Sequence, residues 1–73
     1  MPRQVRQLEA DLERAGFALV RGRGKGSHRV WAHPTGVKAT VSGRSGADAH
    51  DYQEQEVRDK IREAKRREEE QRR

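Results

Sequence analysis

A chain of 73 residues without a cysteine has room for one domain at most, and neither disulfides nor thiolate metal sites can hold it together. With 30% hydrophobic and 40% charged residues its core must be thin, and no run approaches the roughly 18 apolar residues that span a bilayer. A net charge of +5 makes a polyanion the natural partner, because each Lys or Arg meeting a phosphate releases condensed counterions.

The start, Met1-Pro2-Arg3-Gln4, has no apolar stretch of the kind that directs export, so a cytoplasmic protein without membrane association is expected. Val5, Leu8, Leu12 and Ala15 then recur at steps of three and four, which predicts an amphipathic helix over 3–15 with Pro2 in its first turn. Gly16 stands where a left-handed cap is wanted, and Phe17 where it can pack back on Leu12 in a Schellman ending.

Residues 17–21 read as a first strand, bounded by the glycine-rich run 22–26. A second strand, 28–33, ends at Pro34-Thr35-Gly36, a turn-competent hairpin connection. The third, 37–42, alternates Val37, Ala39 and Val41 with Lys38, Thr40 and Ser42. The linkers are too short for crossover helices, so the sheet is an antiparallel meander. After the loop 43–50, Asp51 with Glu54 gives an N-cap signature, and Val57, Ile61 and Ala64 form the stripe of a second helix. Its continuation over 65–73 is a charged tail, expected to fray, supported by the pairs Glu63/Arg67, Glu68/Arg72 and Glu69/Arg73.

These elements predict one α+β domain over 1–73, ordered α-β-β-β-α, with both helices on one face of a three-stranded antiparallel sheet. Val5, Leu8, Leu12, Val57 and Ile61 are expected to cover Val30, Ala32, Val37, Ala39 and Val41. Arg29, Trp31, His33, Lys38 and Thr40 then fall on the open face.

The chemistry concentrates at Arg21-Gly22-Arg23-Gly24-Lys25-Gly26-Ser27-His28. Three glycines in five residues let backbone N–H groups approach an anion, with Arg23 and Lys25 adding charge; a flexible loop with solvated basic residues is the plainer alternative. The spacing is neither that of a Walker loop nor that of a dinucleotide fingerprint. Imidazole both takes and gives a proton near neutral pH, so His28 could drive attack of a ribose 2′-OH on its own phosphate. Equally, His28 shares strand parity with Val30 and Ala32 and could cap the edge of the core. Trp31, between Arg29 and His33, could stack a base or lie half-buried against a helix end. His33, Asp48, His50 and Asp51 match no metal-ligand spacing and read as turn and cap residues.

The stretch Arg14-Ala15-Gly16-Phe17, followed by Gly26-Ser27-His28-Arg29-Val30-Trp31-Ala32-His33-Pro34-Thr35-Gly36, resembles the HicA family of toxin–antitoxin mRNA interferases. The shared pattern is a helix ending in Gly-Phe, a basic strand, Gly-Ser-His, a strand and a short Pro/Gly turn, over about residues 3–62. The resemblance implies a fold similar to the double-stranded-RNA-binding domain. It also implies an endoribonuclease cutting mRNA with His28 as catalytic residue, without metal or organic cofactor, neutralised by an antitoxin of the HicB type. The chain departs from the pattern after the third strand, where many members carry a Pro and a His and this one has Ser42-Gly43-Arg44-Ser45-Gly46-Ala47-Asp48.

The expected activity is therefore metal-independent cleavage of RNA. The expected RNA-binding set is Arg21, Arg23, Lys25, Gly26, Ser27, Arg29, Trp31 and Lys38, with Ser27 orienting the site. An RNA-binding module of the same fold without chemistry is the alternative. A protein-interaction domain using the Trp31 face or the final helix is a third possibility.

Overall fold

The computed structural model describes residues 3–21, 28–44 and 46–72. Its elements follow the expected order: α1 (Val5–Arg14), β1 (Ala18–Leu19), β2 (Arg29–Ala32), β3 (Lys38–Val41) and α2 (Asp51–Gln71). The strands form one antiparallel sheet in the order β1-β2-β3, an α+β meander packed under two helices.

Helix α1 starts two residues later than its periodicity predicts, because Arg3 and Gln4 are extended and paired with the loop before α2. Val5 N–H donates to Ala47 O at 2.9 Å, Ala49 N–H donates to Arg3 O at 2.7 Å, and Gln4 bridges Asp48. Pro2 lies outside the described residues. The C-terminal ending is the expected one: Phe17 N–H donates to Leu12 O at 2.9 Å, Gly16 N–H to Glu13 O at 3.0 Å, and Gly16 has φ +100°. Val5, Leu8 and Leu12 are buried with Phe17 in one cluster.

Helix α2 is capped by His50, one residue before the expected Asp51, and His50 N–H donates to Gln53 Oε1 at 3.2 Å. Asp51 becomes the first helical residue, where its negative charge suits the positive end of the helix dipole. Gln53 is buried and donates from Nε2 to both Ser42 O (2.9 Å) and Ser42 Oγ (3.0 Å), which ties the start of α2 to the end of β3. Val57 and Ala64 are buried and Ile61 packs against the core. Beyond them the helix continues to Gln71, with Glu63–Arg67 and Glu68–Arg72 each at 3.6 Å. The expected Glu69/Arg73 pair ends outside the described residues.

The faces of β2 are the reverse of those expected. Register pairs Arg29 with Val41, Trp31 with Ala39 and Ala32 with Lys38, so Arg29, Trp31 and His33 share the helix-covered face with Val37, Ala39 and Val41. Trp31 is 8% and His33 6% exposed, while Val30 and Ala32 are only half-buried on the open face beside Thr40 and Lys38. The cause is size. Burying an indole of about 150–250 Å² is worth about 4–6 kcal/mol at 25 cal/mol per Å², more than a Val and an Ala return together. In so thin a core the largest side chain decides which face is inside.

That choice brings an arginine and an indole N–H inward with the ring, and Glu9 of α1 answers both. Its Oε2 accepts from Arg29 Nε at 2.7 Å and from Trp31 Nε1 at 3.1 Å, and Arg29 Nη2 donates to Gly43 O at 2.7 Å. The Glu9 and Arg29 side chains are only 15% and 26% exposed, so solvent replaces this node poorly. His33 is held separately: Thr35 N–H donates to its Nδ1 at 3.2 Å, its ring lies 5.0 Å from Phe17, and its Nε2 lies 3.6 Å from Glu68.

Replacing Glu9 with Ala should lower stability by about 2 kcal/mol, the cost of leaving a part-buried charge and an indole N–H without their acceptor. Glu9→Gln, which keeps one acceptor oxygen, should lose less; urea midpoints of the two variants measure the difference. A Cβ at Gly16 would stand 3.1 Å from His33 Nε2 and in left-handed backbone. Gly16→Ala should therefore cost at least about 1–2 kcal/mol, read as a drop in thermal midpoint.

Candidate nucleic-acid interface and active site

Strand β2 divides the candidate residues between two surfaces. His28, immediately before β2, is exposed, and its parity with Val30 and Ala32 puts it on the face without helices. The reading of His28 as a cap on the core edge is therefore corrected, because the parity it shares is the open one. The open face is otherwise lined by Ala18, Val20, Thr40 and Lys38, with Val20 N–H donating to Val30 O at 2.8 Å.

Arg21 follows Val20 and is exposed, at the same end of the sheet as His28. Lys38 is also exposed, but it pairs with Ala32 at the other end of β2. Four strand positions separate it from His28, about 13 Å at 3.3 Å per residue. It is not a neighbour of the imidazole. Arg23, Lys25, Gly26 and Ser27 lie outside the described residues.

Two members of the expected RNA-binding set lie elsewhere. Trp31 was expected on the open face as a base-stacking ring; it is buried beneath the helices, with its N–H committed to Glu9. Arg29 was expected to meet phosphate; it is half-buried on the helix side and engaged by Glu9 and Gly43. Alternation of apolar and polar residues misleads here, because the polar ends of Arg29 and Trp31 find partners inside. Glu9, an unremarked acid on the first helix, was the signal: it is three residues from Leu12 and one from Leu8, hence beside the apolar stripe.

The other two histidines have different surroundings. His33 is enclosed by Phe17, Thr35 and Glu68, whereas His50 is exposed and lies parallel to Tyr52, with centroids 5.5 Å apart and planes 9° from each other. Tyr52 is 65% exposed and was not singled out by sequence reasoning. His33, Asp48, His50 and Asp51 do not gather: among the described residues no three His, Cys, Asp or Glu side chains come together as a metal-holding group. Among the described residues, no helix is long and apolar enough to cross a membrane.

What the site offers among the described residues is an exposed imidazole at the edge of an open sheet face, with Arg21 exposed at the same end and Lys38 further along. Such a surface can admit a phosphodiester backbone and present a proton acceptor to it. Comparison with curated proteins yields no match to this chain. A protein-family model, described as the HicA toxin of bacterial toxin–antitoxin systems, matches residues 5–65. The matched segment runs from the first residue of α1 to within α2 and includes the whole sheet, and the order of elements agrees with the resemblance read from Gly26-Ser27-His28. The chain belongs to the HicA toxin family of bacterial toxin–antitoxin systems, a toxin whose counterpart is an antitoxin protein.

Proposed function

We propose that this toxin is a metal-independent endoribonuclease acting on mRNA in a HicA/HicB-like system, with His28 as its catalytic residue. The observation that carries the reading is the exposure of His28 on the helix-free face of the sheet, where a ribose and its phosphate have access. The imidazole would take the proton of a 2′-OH as that oxygen attacks the adjacent phosphorus. The P–O5′ bond then breaks, and the 5′ oxygen leaves with a proton, giving a 2′,3′-cyclic phosphate and a 5′-hydroxyl end. The reaction consumes no cofactor.

Cations stabilise the charge that grows on the phosphorane oxygens. Arg21, exposed at the His28 end of the sheet, would take this role together with Arg23, Lys25 and the Gly26-Ser27 backbone, which adjoin His28 in sequence. Lys38, further along the face, would hold a phosphate away from the scissile one. Arg29 and Trp31 serve instead by fixing β2 against α1. A HicB-type antitoxin would silence the toxin by covering His28, and a cytoplasmic site of action follows from an mRNA substrate.

His28→Ala should abolish cleavage of single-stranded mRNA in vitro while leaving the circular dichroism spectrum and RNA affinity nearly unchanged. Equal cleavage by the two proteins would overturn the role, and binding without any product by the wild-type chain would leave only an RNA-binding module. Lys38→Gln should weaken RNA binding about uniformly across sequences and lower the slope of log affinity against log salt by about 0.7, one single-strand phosphate contact, in a titration from 50 to 200 mM salt.

A further inference from the structure

The two outer strands of the sheet leave different edges. Val20 N–H donates to Val30 O, and bonded pairs recur at every second position of an antiparallel ladder. Ala18 and Ala32 are therefore the next bonded pair, and Leu19–Trp31, between them, is an unbonded one. Both backbone groups of Leu19 point away from β2, and β1 is the last strand on that side. Among the described residues neither group finds a hydrogen-bond partner. The Leu19 side chain shares the helix-side face with Trp31, yet at the rim of the sheet it keeps 46% of its surface exposed.

The opposite edge is guarded. His33 N–H donates to Val37 O, so by the same alternation Lys38 and Thr40 turn their backbone groups outward from β3. A lysine at such a position discourages pairing with another chain. Between Phe17 and Arg21 the edge of β1 carries only Ala18, Leu19 and Val20, without a charge. Leu19 and Tyr52 are the two large hydrophobic side chains left exposed among the described residues, and only Leu19 belongs to a strand. Ala18 and Val20, on either side of it, face the helix-free side with Ala32 and Val30, so the margin of that face is apolar too.

What fits this edge follows from its pairing of a donor with an acceptor. A phosphodiester backbone brings anionic acceptors, which the Leu19 carbonyl repels. A helix has spent its backbone groups internally. An extended peptide presents an N–H and a C=O together, the complement of Leu19. We infer that the free edge of β1 takes an extended strand of the antitoxin, the counterpart that family membership gives this toxin. The residue of that strand set against Leu19 is apolar, because it completes the covered rim of the sheet. Near Arg21, exposed just past β1, the strand carries an acid. A net charge of +5 draws such a partner and opposes a second copy of this chain. The added strand lies about 10 Å from β2, two spacings of about 4.8 Å, and widens the sheet whose open face carries His28.

The test is hydrogen exchange of the isotope-labelled full toxin, read amide by amide by NMR, with and without the antitoxin protein of its own system. The Leu19 amide should slow at least about tenfold in the complex, the effect of one outward donor gaining a hydrogen bond. Leu19→Pro deletes that donor without touching a rung of the β1–β2 ladder. It should leave the thermal midpoint nearly unchanged and weaken antitoxin binding about tenfold or more. Leu19→Ala, which keeps the donor, should bind more tightly than Leu19→Pro. Unchanged exchange at Leu19 in the complex overturns the pairing, whether or not the proline variant folds. So does equal antitoxin affinity for Leu19→Pro and Leu19→Ala. Slowing that grows with toxin concentration without antitoxin would give the edge to a second copy. Slowing caused by an oligoribonucleotide methylated on its 2′ oxygens, and not by the antitoxin, would give it to RNA. Either result overturns the inference. A wild-type chain that cuts no RNA yet shows the antitoxin-dependent slowing keeps the strand and sinks the ribonuclease reading, whereas cleavage without slowing does the reverse.

Discussion

A single indole governs this small domain. With 30% hydrophobic residues there is little apolar surface to spend, and Trp31 carries more of it than any other side chain. Strand parity is binary, so once Trp31 is under the helices, Arg29 and His33 must follow it in, and His28, Val30 and Ala32 must face out. The exposed catalytic candidate is thus a consequence of where the tryptophan goes. A one-residue slip of β2 would expose the ring and turn His28 toward the helices at the same moment.

The inward turn of Arg29 is tolerable because Glu9 is there to meet it. One carboxylate on α1 accepts from a guanidinium and an indole N–H, and the guanidinium in turn donates to the carbonyl of Gly43. Helix, central strand and the loop leaving β3 are joined through two side chains. Gln53 makes the corresponding connection from α2 to Ser42. Both polar ties fall toward the end of the sheet where His28 stands, so the backbone around the candidate site is fixed from the helix side while the open face remains accessible.

Much of this architecture was legible in the order of residues. The three-and-four spacing of Val5, Leu8 and Leu12, the Gly16-Phe17 ending, and the alternation of Val37, Ala39 and Val41 correspond to buried positions and to a Schellman cap. The start of α1 was not legible, because Arg3 and Gln4 are held extended by residues more than forty positions away. The inner face of β2 was misread for a related reason: Arg29 and Trp31 look outward-facing until the acid that satisfies them is known, and Glu9 lies twenty residues upstream of Arg29. Local pattern carries local structure; long-range polar pairing it does not carry. At the site, the exposure of His28 needed coordinates, because strand parity alone does not say which face the helices cover.

Gly16 and His33 touch across the fold, one ending a helix and the other leading into a hairpin. The imidazole fills the space a methyl group would need, with Phe17 on one side and Glu68 of the distant second helix on another. The two positions are therefore locked together in sequence space: a larger residue at 16 demands a smaller one at 33. A smaller one at 33 in turn leaves a void against Phe17 and removes the contact with Glu68. Drift among relatives at either place has to proceed through the pair, and the charged end of α2, although rich in solvent-facing residues, inherits part of that restraint.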